Sequence, residues 1–232
     1  MAQESAEVDI TVVITCYNEE DYIIDSINNV IEALRTTDKS FEIIVIDDMS
    51  PDFTPDLMDW FCKQDPRIIY KRLEHNGGVC EARNYGNKLA NAEIICVSDQ
   101  DDLSYPYRAE FTYKFFQKAK HIDCLTSAYN ECNVDGYPKR NFMPPHMTRE
   151  LFESGQFVWM HSSCAYRKKD ILELPYREEE QKTDDYVFLD DWTKAGKKFW
   201  TVKKVLADCR RLPFGVMNIR RKIQGLEPSY IE

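Results

Sequence analysis

No stretch of 18 or more apolar residues interrupts the 232-residue chain, and without one a membrane-spanning helix is not expected. The opening MAQESAEVD has no basic segment leading into an apolar one, so no secretory leader is expected. Cys-x-x-Cys pairs and clustered Cys/His spacings are missing too. The eight cysteines, at 16, 62, 80, 96, 124, 132, 164 and 209, stand singly, several inside apolar runs. Reduced thiols acting as small apolar side chains in a soluble, cytoplasmic protein are therefore expected, not disulfides or a zinc site. Linkers, repeats and low-complexity tracts are absent, so residues 1–232 are expected to form one domain. Positive charge is in deficit: 30 Lys+Arg against 40 Asp+Glu leave a net charge of -10. That balance disfavours nonspecific nucleic-acid binding, and it makes a phosphate-bearing ligand acceptable only if a cation comes with it.

What is present is a packed globule's composition, 43% apolar and 12% aromatic, arranged as strands alternating with helices. DITVVITCY is a β-branched strand, and DYIIDSINNVIEALR repeats Ile23, Ile24, Ile27, Val30, Ile31 and Leu34 at helical spacing. FEIIVIDD, RIIYKRLE and AEIICVSD read as further strands. SPDFTPDLMDWFCKQ (Thr54 as N-cap, Pro55 as first helical residue), GGVCEARNYGNKLAN and PYRAEFTYKFFQKA read as the helices after them. Four such units imply a parallel, Rossmann-like sheet flanked by helices. The second half is mixed: IDCLTSAYNECN and FVWMHSSCAYR as strands, VDGY as a hairpin turn, TRELFESG as a short helix, DDYVFLDDWTKAG as a helix ending at Gly196, KFWTVKKVLADCRRL as a strand and VMNIRRKIQG as a basic terminal helix.

Ligands of open parallel sheets sit at the carboxyl ends of the strands. After the first strand comes Thr15-Cys16-Tyr17-Asn18-Glu19 in place of a Gly-x-Gly-x-x-Gly turn, which argues against a nicotinamide dehydrogenase. Thr15 and Tyr17 can bond to and stack on a nucleobase, or simply close the strand. An aspartate of the Asp47-Asp48 pair can accept a uracil-type N–H or serve the turn. Gly77 and Gly78 can offer backbone N–H groups to phosphate oxygens, with Arg83 as a charged donor, or merely cap a helix. The fourth strand runs into Asp99, Asp101 and Asp102 with no basic neighbour in sequence. In extended backbone Asp99 and Asp101 would share a side while Gln100 faced away. Two carboxylates, ligand phosphate oxygens and water would then hold Mg²⁺ or Mn²⁺ and cancel the repulsion.

Taken in order, VVITCYNEEDYI, EIIVIDDMSPD, NGGVCEARNYGNKLANAEIICVSDQDDLSYPYR and KTDDYVFLDDWTKAGKKFW resemble the family 2 glycosyltransferases of the GT-A fold. The resemblance spans most of Asp9 to Arg211 and is weakest from about Cys132 to Tyr176. It implies a nucleotide-sugar half at about 9–105, with Thr15, Tyr17, Glu19, Asp48, Arg83 and Asp99 holding a nucleotide, most often a uridine diphosphate. It implies an acceptor half at about 106–232. Asp99 and Asp101 match the family's DxD motif at the metal, Mn²⁺ or Mg²⁺, and Asp102 matches an extra acid near the donor sugar. Asp184-Asp185 stands where the family has Glu-Asp, so Asp185 takes the place of the catalytic base of an inverting displacement. Trp159 and His161 lie where acceptors are gripped.

The resemblance breaks off at two points. No Gln-x-x-Arg-Trp segment is present, against a processive synthase, and Arg210-Arg211 follow the last strand where some relatives place a histidine. These arginines either serve a diphosphate or solvate the surface. Two other functions fit the pattern less well. A silent nucleotide-sugar- or glycan-binding module would not need Asp99, Asp101 and Asp185. A nucleotidyltransferase would carry a basic, glycine-rich first loop, where this chain has the acidic TCYNEED. The acceptor, glycan, lipid or protein, leaves no sequence signature, and neither does homodimerisation or membership of a longer protein.

Overall fold

The structure is a computed structural model that describes residues 8–18, 20–35, 37–179 and 184–212. Strands β1 (Ile10–Cys16), β2 (Phe41–Asp47), β3 (Ile68–Arg72) and β4 (Ile94–Asp99) alternate with helices α1 (Glu20–Arg35), α2 (Thr54–Gln64) and α3 (Val79–Leu89). They pair in parallel in the order β3-β2-β1-β4. Every residue of β1 and β2 is buried, as expected of parallel strands covered on both faces. Val12, Ile14, Ile43 and Val45 face one core with Ile23, Ile27 and Leu34 of α1, while Val13, Ile44 and Ile46 face the other. Of the apolar residues expected to line α1's inner face, Ile24 alone points outward, 39% exposed.

One glycine sets how closely α3 approaches the sheet. A Cβ on Gly86 would lie 2.6 Å from Val13 Cγ1 and 3.2 Å from Ile46 Cγ1. That close approach brings α3's first turns, and Arg83 with them, to the strand ends.

The second half adds β5 (Leu103–Ser104), α4 (Arg108–Lys118), β6 (Cys124–Cys132), β7 (Pro138–Phe142), α5 (Arg149–Ser154), β8 (Ala165–Arg167), α6 (Lys168–Glu173), α7 (Asp184–Lys194) and β9 (Phe199–Arg210). The sheet continues past β4 as β8-β6-β9-β5, with β7 pairing Tyr129–Cys132 of β6 beyond the Cys124–Leu125 stretch that pairs β8. Pairing is antiparallel at β4–β8, β6–β8, β6–β7 and β5–β9, and parallel at β6–β9. This is the mostly parallel sheet with a mixed second half that the GT-A resemblance implies. Tyr166, Phe188, Trp192 and Phe199 pack against the back of β4 in the second core.

Two local expectations are corrected. Thr54 is the first residue of α2 and not its N-cap, because Asp52 Oδ1 already accepts the Thr54 N–H at 3.1 Å and the cap falls on Phe53. FVWMHSSCAYR is a strand only over Ala165–Arg167, while His161–Ser163 forms a single 3₁₀ turn. Three consecutive buried polar residues need local partners. The turn supplies them through Ser163 N–H to Met160 O (3.2 Å) and Cys164 N–H to His161 O (2.8 Å). The basic segment VMNIRRKIQG lies outside the described residues. No helix among the described residues is long and apolar enough to cross a membrane.

Candidate active site

Register alone brings the expected residues together. In the parallel ladder Cys16 faces Asp47 and Thr15 faces Asp99, so β1, β2 and β4 end side by side. The chain leaves β1 and β2 through left-handed residues, Asn18 (φ 54°) and Met49 (φ 68°), a conformation that non-glycine residues rarely adopt outside constrained loops. Thr15 is buried and Tyr17 is 46% exposed, a ring presented at the mouth of the strand ends. Glu19 lies outside the described residues.

Asp48 is occupied from within. Its two oxygens accept the N–H groups of Gly77 and Gly78, each at 2.7 Å, and Asn76 Nδ2 donates to its carbonyl at 3.1 Å. These glycine amides, expected to be open to phosphate, are spent on Asp48, whose carboxylate fastens the β3–α3 turn to the end of β2. Burial pushes the Asp48 carboxyl upward and the two amides pull it back. Any contact with a base must use its remaining lone pairs.

The acidic segment is a turn, not extended backbone. β4 stops at Asp99, and Asp102 N–H returns to Asp99 O at 3.2 Å. The strict alternation of sides is therefore lost. Gln100 does not face away: it is buried, its Oε1 accepts Tyr17 N–H at 2.7 Å, and its Nε2 donates to Tyr17 O at 3.4 Å. The amide replaces the strand partner that Tyr17 lacks. Asp102 is buried as well, its oxygens accepting the Ser162 hydroxyl and Arg210 N–H (3.2 Å). It is a strut between the 3₁₀ turn and β9.

Asp99 and Asp101 remain as the partly buried pair. Burial pushes the Asp101 carboxyl up to about 6, repulsion from Asp99 adds to the effect, and its own backbone amide, Arg210 and Arg211 oppose it. Among the described residues no three His, Cys, Asp or Glu side chains converge as a cation cage. The described residues thus offer at most two carboxylates here, a donor set that suits a hard divalent cation whose other ligands are phosphate oxygens and water.

Arg83 joins this turn to α7. Its guanidinium is only 6% exposed and bonds Asp99 Oδ1 at 2.9 Å through Nη2 and Asp184 Oδ2 through Nη1. Burial alone would weaken its hold on the proton, but Asp99 and Asp184 more than restore it and keep Arg83 well above the ordinary arginine value. The Tyr176 ring lies 5.6 Å from the guanidinium carbon. Asp184 is thereby committed to Arg83, and Asp185 follows it in the first turn of α7, where the helix dipole favours a carboxylate.

The residues expected to grip an acceptor both have partners within the protein. His161 is buried, its Nε2 2.7 Å from Tyr176 Oη, and burial and then Arg83 push its pKa well below the usual histidine value. A neutral imidazole beside Arg83 supports the site from beneath. Trp159 packs edge-on against Phe199, with its indole N–H buried. Beside Asp185 the exposed ring is Tyr186, 5.8 Å from Phe157.

Arg108 was missed by sequence reasoning, because a basic residue at the start of an amphipathic helix reads as solvated. It is buried and donates to Val97 O (2.5 Å), Ser162 O (2.7 Å) and Ser104 Oγ (3.0 Å), pinning the 3₁₀ turn against β4.

The family model described as Glycosyl transferase family 2 matches residues 11–174. The chain belongs to that family. The family match stops short of Asp184, so the pairing of Arg83 with α7 is a feature of this structure and not of the match. Among curated relatives, a glycosyltransferase of Methanocaldococcus jannaschii is 28% identical over 184 residues, 77% of this chain and 62% of the relative. Glycosyltransferase GlyG of Streptococcus pneumoniae is 31% identical over 127 residues, 55% of this chain and 41% of the relative. The chain therefore spans less than two thirds of these relatives' length. Among solved structures, Staphylococcus aureus TarS 1–349 in complex with UDP-GlcNAc superposes with a TM-score of 0.71 at 20% identity, over 90% of this chain and 60% of that one. The mannosyltransferase PcManGT of Pyrobaculum calidifontis, in complex with GDP-Man and Mn²⁺, gives 0.67 at 18% identity, over 91% and 60%. Family membership and these two neighbours agree on the fold.

Proposed function

We propose that the protein transfers a sugar from a nucleoside-diphosphate sugar, with a uridine nucleotide as the first choice, to an acceptor hydroxyl, inverting the anomeric carbon in one displacement. The observation that carries this reading is the Arg83 bridge, which brings the acids at the end of β4 and the start of α7 to one guanidinium. Carboxylates from the two halves thus meet at one side chain. Nucleotide sugars in the two structural neighbours, one of them with Mn²⁺, support the donor class.

In this reading Tyr17 stacks on the base, and Asp99 and Asp101 would hold a divalent cation. When bound, the cation would offset charge on the departing diphosphate. Asp185 takes the acceptor proton as the acceptor oxygen bonds to the anomeric carbon, and the bond from that carbon to the diphosphate oxygen breaks with its electron pair leaving on phosphate. Arg83 keeps Asp184 from competing as the base and fixes the start of α7.

Thermal unfolding tests the donor and metal together. UDP at about a hundred times its Kd should add about 2.7 kcal/mol, about 5–10 °C for a chain of this size, with Mn²⁺ or Mg²⁺ present and not with a chelator. Slow hydrolysis of UDP-sugars should be lost in Asp185→Asn and in Asp101→Ala. A UDP shift indifferent to chelator, or equal hydrolysis by parent and Asp185→Asn, would refute the assignment.

A further inference from the structure

Between α3 and the end of α6 with the chain after it lies a partly open cavity of about 290 Å³, at the lower end of the range for small-molecule pockets. Asp99, Asp101, Asp184 and Asp185 do not line it. Asn84, Asn87 and Lys88, at helical spacing on one face of α3, make a polar wall, and Leu172 and Pro175 add an apolar one. Asn84 fixes the shape. Its Nδ2 donates to Tyr176 O at 2.8 Å and to Glu178 Oε1 at 3.1 Å, while its Oδ1 accepts the Tyr176 N–H at 3.0 Å. Tyr176 lines the cavity too, and its ring is the one that lies 5.6 Å from the Arg83 guanidinium carbon.

Three features restrict what this cavity can hold. The first is a donor in want of an acceptor: Asn87 is buried, its Oδ1 accepts the Tyr166 hydroxyl at 3.1 Å, and its Nδ2 has no hydrogen-bond partner among the described residues. A buried N–H left this way is costly, and an oxygen bound beside Asn87 would complete it. The second is balanced charge. Lys88 and Arg177 face Glu178 and Glu179 at the exposed mouth, and Arg177 is already paired with Asp191, so neither an anion nor a cation is favoured; the carboxylates can accept from ligand hydroxyls. The third is the apolar wall of Leu172 and Pro175, which suits C–H bonds. A neutral ring with hydroxyls on its rim and C–H bonds on a face meets all three. A lipid chain would leave Asn87 without its acceptor, and a phosphate would meet two carboxylates.

We propose that this cavity is a saccharide site apart from the reaction centre. It takes one neutral pyranose, with a sugar oxygen on Asn87 Nδ2, hydroxyls toward Glu178 and Glu179, and a C–H face on Leu172 and Pro175. The assignment goes beyond the transfer reaction and does not depend on the donor class. A sugar held here rests on Tyr176 and, through that ring, on the arginine that ties Asp99 to Asp184.

Saturation-transfer NMR with glucose, galactose, mannose and N-acetylglucosamine tests this on parent, Leu172→Trp and Asn87→Asp, with no nucleotide or cation added and folding checked by circular dichroism. At least one sugar should give transfer from parent, and the signal should vanish in Leu172→Trp, where an indole fills the cavity from an exposed position. Asn87→Asp, which exchanges the amide donor for an acceptor, should weaken that sugar about tenfold; if it does not fold, Leu172→Trp decides. No transfer from any of the four sugars, or a signal undiminished in Leu172→Trp, would overturn the proposal. Glycine or inorganic phosphate binding the cavity in their place would overturn it as well. A parent that binds sugar in the cavity but neither UDP nor GDP with Mn²⁺ present would defeat the donor reading and leave this site standing.

Discussion

Replacing Asp101 by asparagine should make the ligand-free protein more stable. The Asp101 carboxyl is held at about 6, against an ordinary value of 3.8, by burial and then by the repulsion of Asp99. A carboxyl harder to ionise in the folded chain than in the unfolded one costs stability wherever it is ionised. Each pH unit between the two values is worth about 1.4 kcal/mol, so the cost is on the order of 2–3 kcal/mol at neutral pH. The sign follows from proton counting: between about pH 4 and 6 the folded chain holds the extra proton, so stability rises as pH falls through about 6 and the penalty is gone near 4. Asp101→Asn should therefore melt about 5 °C higher than parent at pH 7.5 with chelator present. The gap should shrink at pH 5, and scanning fluorimetry or calorimetry at the two pH values reads it. With UDP and Mn²⁺ the order should reverse, because the variant lacks a carboxylate proposed to hold the cation. No stabilisation at pH 7.5, or a gap independent of pH, would refute the claim that Asp101 is held against burial and its neighbour's charge.

Gly86→Ala should destabilise the fold by about 1–3 kcal/mol, since the new methyl would sit 2.6 Å from Val13 Cγ1 in a packed core; urea unfolding with an unchanged m-value checks it. His161, whose pKa is lowered first by burial and then by Arg83, should show no imidazole titration by NMR from pH 8 to 5. Because the unfolded chain protonates near 6.5 and the folded chain does not, this residue should also subtract stability as pH falls below about 6.5. A His161 signal that titrates normally would contradict its burial against Tyr176.

Strands β1 to β4 and helices α1 to α4 were legible because each strand carries an apolar, β-branched centre and each helix repeats its apolar residues at 3.6. The same patterns located Thr15, Tyr17, Asp48, Asp99 and Asp101 at strand ends. What local patterning could not express is which acid is already taken. Asp48 is tied by amides 29 and 30 positions away, Asp184 by an arginine 101 positions away, and Asp102 by Ser162, 60 positions away. Phe157 to Cys164 was misread for a related reason. Its aromatic and β-branched residues suit a strand, but the buried His161-Ser162-Ser163 needs hydrogen bonds, and one of them comes from Arg108 on another element. Identity of residue type gave the inventory of candidates. Competition for hydrogen bonds decided their jobs.

Because one guanidinium serves both Asp99 and Asp184, the two halves of this protein are not interchangeable cassettes. A chimera that borrowed its nucleotide-side elements from a relative would import a different answer to where α7 begins, unless the α3 arginine and both of its carboxylates travelled as a set. Engineers probing the proposed donor site would do well to vary the rim around Tyr17 and leave that three-residue linkage intact.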